Sequence, residues 1–200
     1  MVSQNYNIIP YSPEENTVIA QSAAQTVLEN KVVLAPFDTV YGLVSNPFDD
    51  NAIKKVFNLK DRPTEKTIGV VASDIDQIYR IANDKHLDWI KKLTPGPYTF
   101  ILEAKGMILS PHCYKNNTIA VRIPDSVLIL EIAKLSGGII AQTSANKSGK
   151  NSNAVLEKVL SQFQETELKD LMIILDDSMP TGSPSTIFDL TGDTPRKIER

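Results

Sequence analysis

Hydroxyl, amide and cationic side chains recur where predicted strands end. The stretch GGIIAQTSANKSGKNSNA, residues 137–154, changes from an apolar strand into a run of small and polar residues that cannot build a core. Short hydroxyl and amide groups among small residues let a backbone approach a phosphate closely, and lysine and arginine supply the matching charge. In α/β sheets, ligands collect outside strand ends. This stretch therefore predicts an anion site.

The same residue types follow other predicted elements. The candidates are Asp38, Thr39 and Tyr41 in PFDTVYGL, Lys60, Arg62 and Lys66 in LKDRPTEK, Thr118 and Arg122 in TIAVRIP, Ser144 and Asn146 in TSAN, and Ser183, Ser185 and Thr186 in SPSTIFD. Thr118 and Arg122 are four residues apart, so on one strand their side chains share a face.

Each of these pieces has a structural alternative. Lys60 and Arg62 stand beside Asp61 and Glu65, which is also typical of a solvated helix end. Arg122 lies among apolar residues of a predicted core strand, where an unpaired guanidinium would be costly. Its partner is either a structural carboxylate or the carboxylate or phosphate of a ligand, and the residues alone favour neither.

The usual catalytic signatures are missing. There is no Walker A sequence and no G-x-G-x-x-G, so neither common phosphate loop is supported. His112 and Cys113 are adjacent, but sequence neighbours rarely point together, and we expect a plain loop. Two histidines and one cysteine are too few for most zinc sites, and no metal-ligating residue is predicted.

Composition predicts one domain over residues 1–200. The chain is 42% hydrophobic and 22% charged, which suits a soluble globular protein. A net charge of −3 argues against a long polyanion as the main ligand. One cysteine fits a reducing cytoplasm. We expect no secretory signal and no membrane contact, because no apolar run approaches the ~18–20 residues needed to span a bilayer.

Strand and helix patterns alternate along the chain, which predicts an α/β fold with a mixed sheet. A capping box at Ser12-Pro13-Glu14-Glu15 predicts a helix that runs to about Asn30. Further helices are predicted at 49–60, 74–82, 85–93, 126–135 and 153–163, and strands at 31–36, 67–72, 98–104, 118–123, 138–142, 171–177, 185–190 and 196–199.

Several motifs, in this order, resemble those of the YrdC-like threonylcarbamoyl-AMP synthases, over nearly the whole chain. The matching segments are PFDTVYGL at 36–43, KDRP at 60–63, TPGPYTFIL at 94–102, TIAVRIPD at 118–125, TSANKSG at 143–149, SPSTIFDL at 183–190 and RKIER at 196–200. The resemblance implies an open twisted mixed β-sheet with flanking helices and a large cavity.

The resemblance also implies an activity, in which L-threonine, bicarbonate and ATP give threonylcarbamoyl-AMP, pyrophosphate and water for tRNA modification. Lys60 and Arg62 would be catalytic and would bind ATP, brought in with Mg2+. The further ATP-binding residues implied are Lys66, Thr118, Ser144, Asn146 and Arg200, and the threonine-binding residues are Thr39, Arg122 and Ser185. Other predicted partners are the downstream tRNA threonylcarbamoyl-transfer proteins and, bound weakly, RNA.

Several positions depart from the family pattern and leave alternatives open. Phe37-Asp38 replaces the usual Thr-Glu, Lys66 stands where asparagine is common, and Val71 stands where histidine is often found. One alternative is a non-catalytic RNA-binding or ribosome-maturation protein of the same fold. The other is a paralogue that adenylates another carbamate or only binds a nucleotide.

Overall fold

A computed structural model describes residues 6–83, 85–176 and 182–199. The helices are α1 (Asn16–Leu28), α2 (Asp50–Lys60), α3 (Ile75–Ile81), α4 (Leu87–Leu93), α5 (Val127–Leu135), α6 (Leu156–Leu160) and α7 (Glu165–Leu168). The strands are β1 (Asn7–Pro10), β2 (Val32–Ala35), β3 (Gly42–Ser45), β4 (Gly69–Ala72), β5 (Tyr98–Glu103), β6 (Tyr114–Lys115), β7 (Thr118–Arg122), β8 (Ile139–Ser144), β9 (Leu171–Leu175), β10 (Thr186–Asp189) and β11 (Arg196–Ile198).

These strands form one mixed sheet, as the alternating pattern predicts. Its order is β1-β9-β2-β3-β8-β4-β7-β5-β10-β11, and the short β6 pairs with β7. Parallel pairs join β1 to β9, β9 to β2, β4 to β7 and β5 to β10, while β3, β8 and β11 run antiparallel to their neighbours. The sheet therefore places the ends of β2 and β8, which are distant in sequence, on either side of β3.

The two faces of the sheet pack different sets of helices. Because side chains alternate along a strand, Val70 and Ile139 face one cluster, which includes residues of α2, α3 and α4. Val71 and Ile140 face the other cluster, which contains the buried sides of α1 and α5. We call this second side of the sheet the α1–α5 face.

Helices α1 and α5 cover only part of the α1–α5 face. Their cluster includes side chains of β2, β3, β4, β8 and β9, but among the described residues none from β5, β7 or β10. Ala120, Ile101 and Ile187 point to this face and are only partly buried, whereas Phe100 and Val121 on the opposite face are fully buried. As far as the described residues show, this part of the face is open, and Ala120, Ile101 and Ile187 form part of its floor.

The predicted helix limits needed two corrections. The helix predicted from Ser12 begins with a 3-10 turn at Pro13–Glu15, and α1 starts at Asn16, because the Ser12 hydroxyl donates to the Glu15 carboxylate instead of capping backbone N–H groups. The helix predicted at 153–163 is only α6, since the chain is already turning at Ser161 and reaches α7 separately.

Other helix ends agree with the sequence signals. The Asp49 carboxylate accepts a 2.8 Å hydrogen bond from the Ala52 amide at the start of α2. Gly137 and Gly138, both with positive φ, end α5 and let the Gly138 amide donate to the Ala133 carbonyl. Within the described ranges, no helix has the length and apolar character needed to cross a bilayer.

Gly42 offers a test of how the loop between β2 and β3 is packed. A Cβ atom at Gly42 would lie 2.6 Å from the ring of Phe37, which is buried on the α1–α5 face. We expect Gly42→Ala to lower the free energy of unfolding by about 1–3 kcal/mol, because a packed ring cannot move away. Chemical denaturation measures this value.

Gly192→Ala is the matched control, because its Cβ would meet no atom closer than 4.0 Å. Adding Phe37→Leu to Gly42→Ala should recover part of the lost stability. Equal stability of the two single variants would contradict this account of the loop.

Candidate active site

Lys60, the last residue of α2, is buried with 1% of its surface exposed. Its ammonium faces the loop after β8 instead of solvent. Nζ donates to the carbonyl of Ser144, to the carbonyl of Asn146 at 2.7 Å and to Asn146 Oδ1 at 3.1 Å. The alternative of a solvated helix end is therefore wrong for Lys60.

Ser144 and Asn146 belong to the same hydrogen-bond network. Ser144 Oγ donates to Asn146 Oδ1 at 2.6 Å. Asn146 Nδ2 donates to the carbonyls of Lys147 at 2.9 Å and Lys150 at 2.7 Å. The sequence-predicted group of Lys60, Ser144 and Asn146 is thus brought together, with its polar atoms satisfied by one another and by the loop.

The surroundings of Lys60 act on its pKa in opposite directions. Burial, and after it the neighbouring Arg62 guanidinium, lowers the pKa of Lys60 to about 7. The oxygen atoms around Nζ favour the ammonium form and oppose this shift. An anion bound close by would also favour the charged form, so this corner of the protein is electrostatically suited to a phosphate.

Arg62 has hydrogen-bonding capacity left over. One of its terminal nitrogens donates to the Thr67 carbonyl at 2.5 Å, and its guanidinium carbon lies 5.9 Å from the centre of the Phe57 ring. Its Nε is buried and has no hydrogen-bond partner in the described part of the chain. Burial lowers the pKa of Arg62. An acceptor such as a phosphate oxygen would satisfy this group.

Arg122, at the end of β7, pairs with Asp38 in the loop after β2. The two groups are 2.5 Å apart, and their side chains are 5% and 12% exposed. A second guanidinium nitrogen donates to Thr39 Oγ1 at 3.0 Å, while the other Asp38 oxygen accepts from the Asp125 amide at 3.1 Å. Of the two partners that the sequence left open for Arg122, the structure supplies the structural carboxylate.

The neighbours of Arg122 lie on the same α1–α5 face. Strand pairing places Arg122 beside Val71, which is fully buried on the α1–α5 face. Phe100 pairs with Val121, so Thr99 lies next to Arg122, and Thr99 Oγ1 is 2.9 Å from Ser185 Oγ. The predicted threonine-binding residues Thr39, Arg122 and Ser185 therefore come from three strand ends that meet at one place.

The remaining predicted residues are less closely held. Thr118 lies on the same face as Arg122, as their even spacing predicts, and its hydroxyl donates to the Lys115 carbonyl at 2.6 Å. Lys66 is exposed. Arg200 lies outside the described residues, as does Asp177 at the end of the predicted strand 171–177.

Two polar groups thus flank the open part of the α1–α5 face. We call them the Lys60 end (Lys60, Arg62, Ser144 and Asn146) and the Arg122 end (Asp38, Thr39, Arg122 and Ser185). From Thr118 to Arg122, strand β7 spans about 13 Å at the usual strand rise. Gly69 and Ala120 form the surface between these two residues. A hypothetical Cβ on Gly69 would lie 3.3 Å from the Ala120 carbonyl oxygen, so the two strands leave little room for a larger residue.

The sequence analysis names Asp38 as a candidate but gives it no specific partner, and it does not name Thr99. The signal for Asp38 was present, because a buried arginine requires an anion and Asp38 is an acid at a strand end, next to the predicted site residue Thr39. Thr99 could have been found only from the pairing of β5 with β7.

A separate cavity of about 800 Å3 lies beside β9, α2 and α7, and none of the predicted site residues lines it. Its walls carry charges of both signs, including Lys31, Lys55, Glu167 and Asp170. In the part of the chain that the structure describes, no group of three or more histidine, cysteine or carboxylate residues is placed to hold a metal ion.

The Asp38–Arg122 pair gives a stability prediction. We expect Asp38→Asn to lower the free energy of unfolding by about 3–5 kcal/mol, because it removes a buried carboxylate charge that lies 2.5 Å from the Arg122 guanidinium. The measurement is urea unfolding at neutral pH. Asp193→Asn, which breaks an exposed pair with Lys85, is the control and should change little. Equal effects of the two substitutions would contradict the buried pair.

Comparison with known proteins identifies the family of this chain. A sequence model of the Sua5–YciO–YrdC family, described as "Telomere recombination", matches residues 25–200. The chain is 37% identical over 183 residues to threonylcarbamoyl-AMP synthase of Bacillus subtilis (strain 168), covering 88% of this chain and 51% of the relative. It is 30% identical over 189 residues to the putative threonylcarbamoyl-AMP synthase of Methanocaldococcus jannaschii, covering 93% and 87%.

Solved structures show the same fold. Sua5 of P. abyssi in complex with L-threonine superposes with a TM-score of 0.84 at 28% identity, over 97% of this chain and 56% of that one. YciO of E. coli has a TM-score of 0.78 at 21% identity, over 98% and 94%. The chain spans about half the length of the B. subtilis relative and of P. abyssi Sua5. It belongs to the Sua5–YciO–YrdC family.

Proposed function

We propose that this chain is an L-threonylcarbamoyladenylate synthase, which forms threonylcarbamoyl-AMP, pyrophosphate and water from L-threonine, bicarbonate and ATP. The observation that carries the proposal is a pair of polar groups, one on the open face around Arg122 and one at the edge of the sheet where α2 and β8 end, in a chain of this family. One end offers a guanidinium held by Asp38, and the other offers Arg62 beside a buried ammonium. Such an arrangement suits a ligand pair with a carboxylate at one end and phosphates at the other.

The amino acid would lie at the Arg122 end. Its carboxylate would meet the guanidinium, whose orientation is set by Asp38 and Thr39, and Ser185 would line the same pocket. The amine takes up CO2 derived from bicarbonate and loses a proton, which gives a carbamate. Threonine in the solved P. abyssi structure supports the choice of amino acid.

The nucleotide would lie towards the Lys60 end, with Thr118, Lys66 and Arg200 as further contacts. A carbamate oxygen attacks the α-phosphorus, the bond from this phosphorus to the bridging oxygen breaks, and pyrophosphate leaves with that electron pair. Charge develops on phosphate oxygens, so fixed cations and positioning would supply the catalysis without a covalent enzyme intermediate. Mg2+ would enter with ATP as part of the substrate, held by phosphate oxygens and water.

The product implies further partners and a location. Other proteins would transfer the threonylcarbamoyl group to tRNA. The single cysteine, Cys113, is buried, and burial raises its pKa to about 12, so it has no thiolate chemistry at neutral pH. Because the proposed reaction uses ATP and serves tRNA modification, we place the protein in the cytoplasm.

The direct test supplies ATP, bicarbonate and one amino acid at a time, and measures pyrophosphate release. We expect release that depends on threonine. Release with a different amino acid would show a paralogue. Val71 is the reason to test other amino acids, because it is buried beside Arg122 and departs from the family pattern. No release, together with strongly salt-dependent RNA binding that ATP does not alter, would favour the RNA-binding alternative.

A substitution of Arg62 tests whether this residue contacts the phosphates. We expect Arg62→Ala to reduce kcat/KM for ATP by about 10–100-fold, because one charge-assisted hydrogen bond is lost from the transition state. Arg80→Ala is the control, since Arg80 is exposed and contacts Gln77 and the Gly137 carbonyl. Turnover near that of the unsubstituted protein in Arg62→Ala would count against the phosphate assignment.

A further inference from the structure

The ammonium of Lys60 has no donor left for a ligand. An ammonium carries three N–H donors, and Nζ contacts three oxygen atoms, two on Asn146 and one on Ser144. The side chain is also almost wholly removed from the surface. To reach a phosphate, Lys60 would have to give up at least one of these contacts and move out of a packed position.

The backbone of Lys60 holds the same loop from a second point. Its carbonyl accepts a 2.7 Å hydrogen bond from the Ser148 amide. One residue therefore contacts the loop at Ser144, Asn146 and Ser148, and the loop in turn is tied to the β2–β3 segment by the Ala145 amide, which donates to the Tyr41 carbonyl at 2.8 Å. The Lys60 side chain fixes the first half of this loop and its backbone fixes the second.

Arg62 differs from Lys60 in this respect. Its Nε–H is buried without a partner among the described residues, so it can donate to a new acceptor without breaking an existing bond. Lys60 and Arg62 therefore differ. All three donors of Lys60 have hydrogen-bond partners, whereas Arg62 Nε has none among the described residues.

From these contacts we infer that Lys60 is a positioning residue, which braces the 144–148 loop, and that it does not contact the phosphates itself. Its effect on the reaction passes through Asn146 and Ser144, whose atoms it orders before any ligand binds. Arg62 makes the direct contact. The effects that this inference predicts on the KM for ATP rest on the proposed function, whereas the ordering of the 144–148 loop does not.

The first measurement is amide hydrogen exchange in the ligand-free full chain. Lys60→Met should speed exchange at the Ala145 and Ser148 amides at least tenfold, because the loop loses its three contacts to Nζ. The Gly138 amide, which donates to the Ala133 carbonyl at the end of α5, is the internal control for general destabilisation and should not change relative to the unsubstituted protein. Arg62→Ala should leave Ala145 and Ser148 protected.

The second measurement is a double-substitution cycle on the KM for ATP. If Lys60 acts through Asn146, Lys60→Met and Asn146→Ala combined should raise KM little more than the stronger single substitution, since both remove the same ordered loop. Lys60→Met combined with Arg62→Ala should raise KM well beyond either single substitution, because Arg62 contacts the phosphates independently of the loop. Lys60→Gln replaces Lys60→Met in both measurements if the latter fails to fold.

Unchanged exchange at Ala145 and Ser148 in Lys60→Met, or multiplied effects of Lys60→Met and Asn146→Ala, would overturn the inference. Absence of threonine-dependent pyrophosphate release in the unsubstituted protein would instead overturn the proposed function. In that case hydrogen exchange alone decides whether Lys60 braces the loop.

Discussion

Incomplete cover of one sheet face is the constraint on which the rest of the site depends. Helices α1 and α5 bury the side chains of β2, β3, β4, β8 and β9 that point towards them, and their cluster reaches no described residue of β5, β7 or β10. Strand alternation then decides which residues of those strands lie on the open part of the face. Thr118, Ala120 and Arg122 are on that face because they are two residues apart, while Ile119 and Val121 complete the core on the other.

Two buried cations stand at the borders of this open surface, and the fold compensates each in a different way. Arg122 is neutralised by Asp38, a charge pair that is costly to break but contributes little stability over an apolar alternative. Among the described residues, Lys60 has no carboxylate within its hydrogen bonds and is held by peptide and amide oxygen atoms, and burial lowers its pKa to about 7. A protein tolerates such a buried charge where it favours ligand binding or orders a loop. Here both effects act on the 144–148 loop.

Much of the fold could be predicted from the sequence, because apolar runs bounded by turn residues correspond to β2, β4, β5, β7, β8, β9 and β10. Strand β3 was not predicted, since Gly42–Ser45 follows a polar motif and is too short to show a period of its own. The residues of the site were found from their types and strand-end positions. Their hydrogen-bond partners were not, because the pairing of Lys60 with the 144–146 loop joins segments that are 84 and 86 residues apart.

The difference between finding a residue and knowing its contacts matters most for Lys60 and Asp38. Sequence resemblance predicts that Lys60 lies near the phosphates, and the structure places it beside Arg62 but with its donors already used. Asp38 illustrates the reverse case, because the sequence offered it as a strand-end candidate without a specific partner, and it is the charge partner of the most buried arginine in the described chain. Both results come from long-range packing, which short motifs do not encode.

The most direct measurement is a crystal structure of the full chain with L-threonine and an ATP analogue whose α–β bridge cannot be cleaved. The account predicts the amino-acid carboxylate on the Arg122 guanidinium, the phosphates within hydrogen-bond distance of Arg62, and both ligands lying across Gly69 and Ala120 on the open part of the α1–α5 face. Phosphates bound at the Arg122 end, or ligands bound elsewhere on the protein, would contradict it.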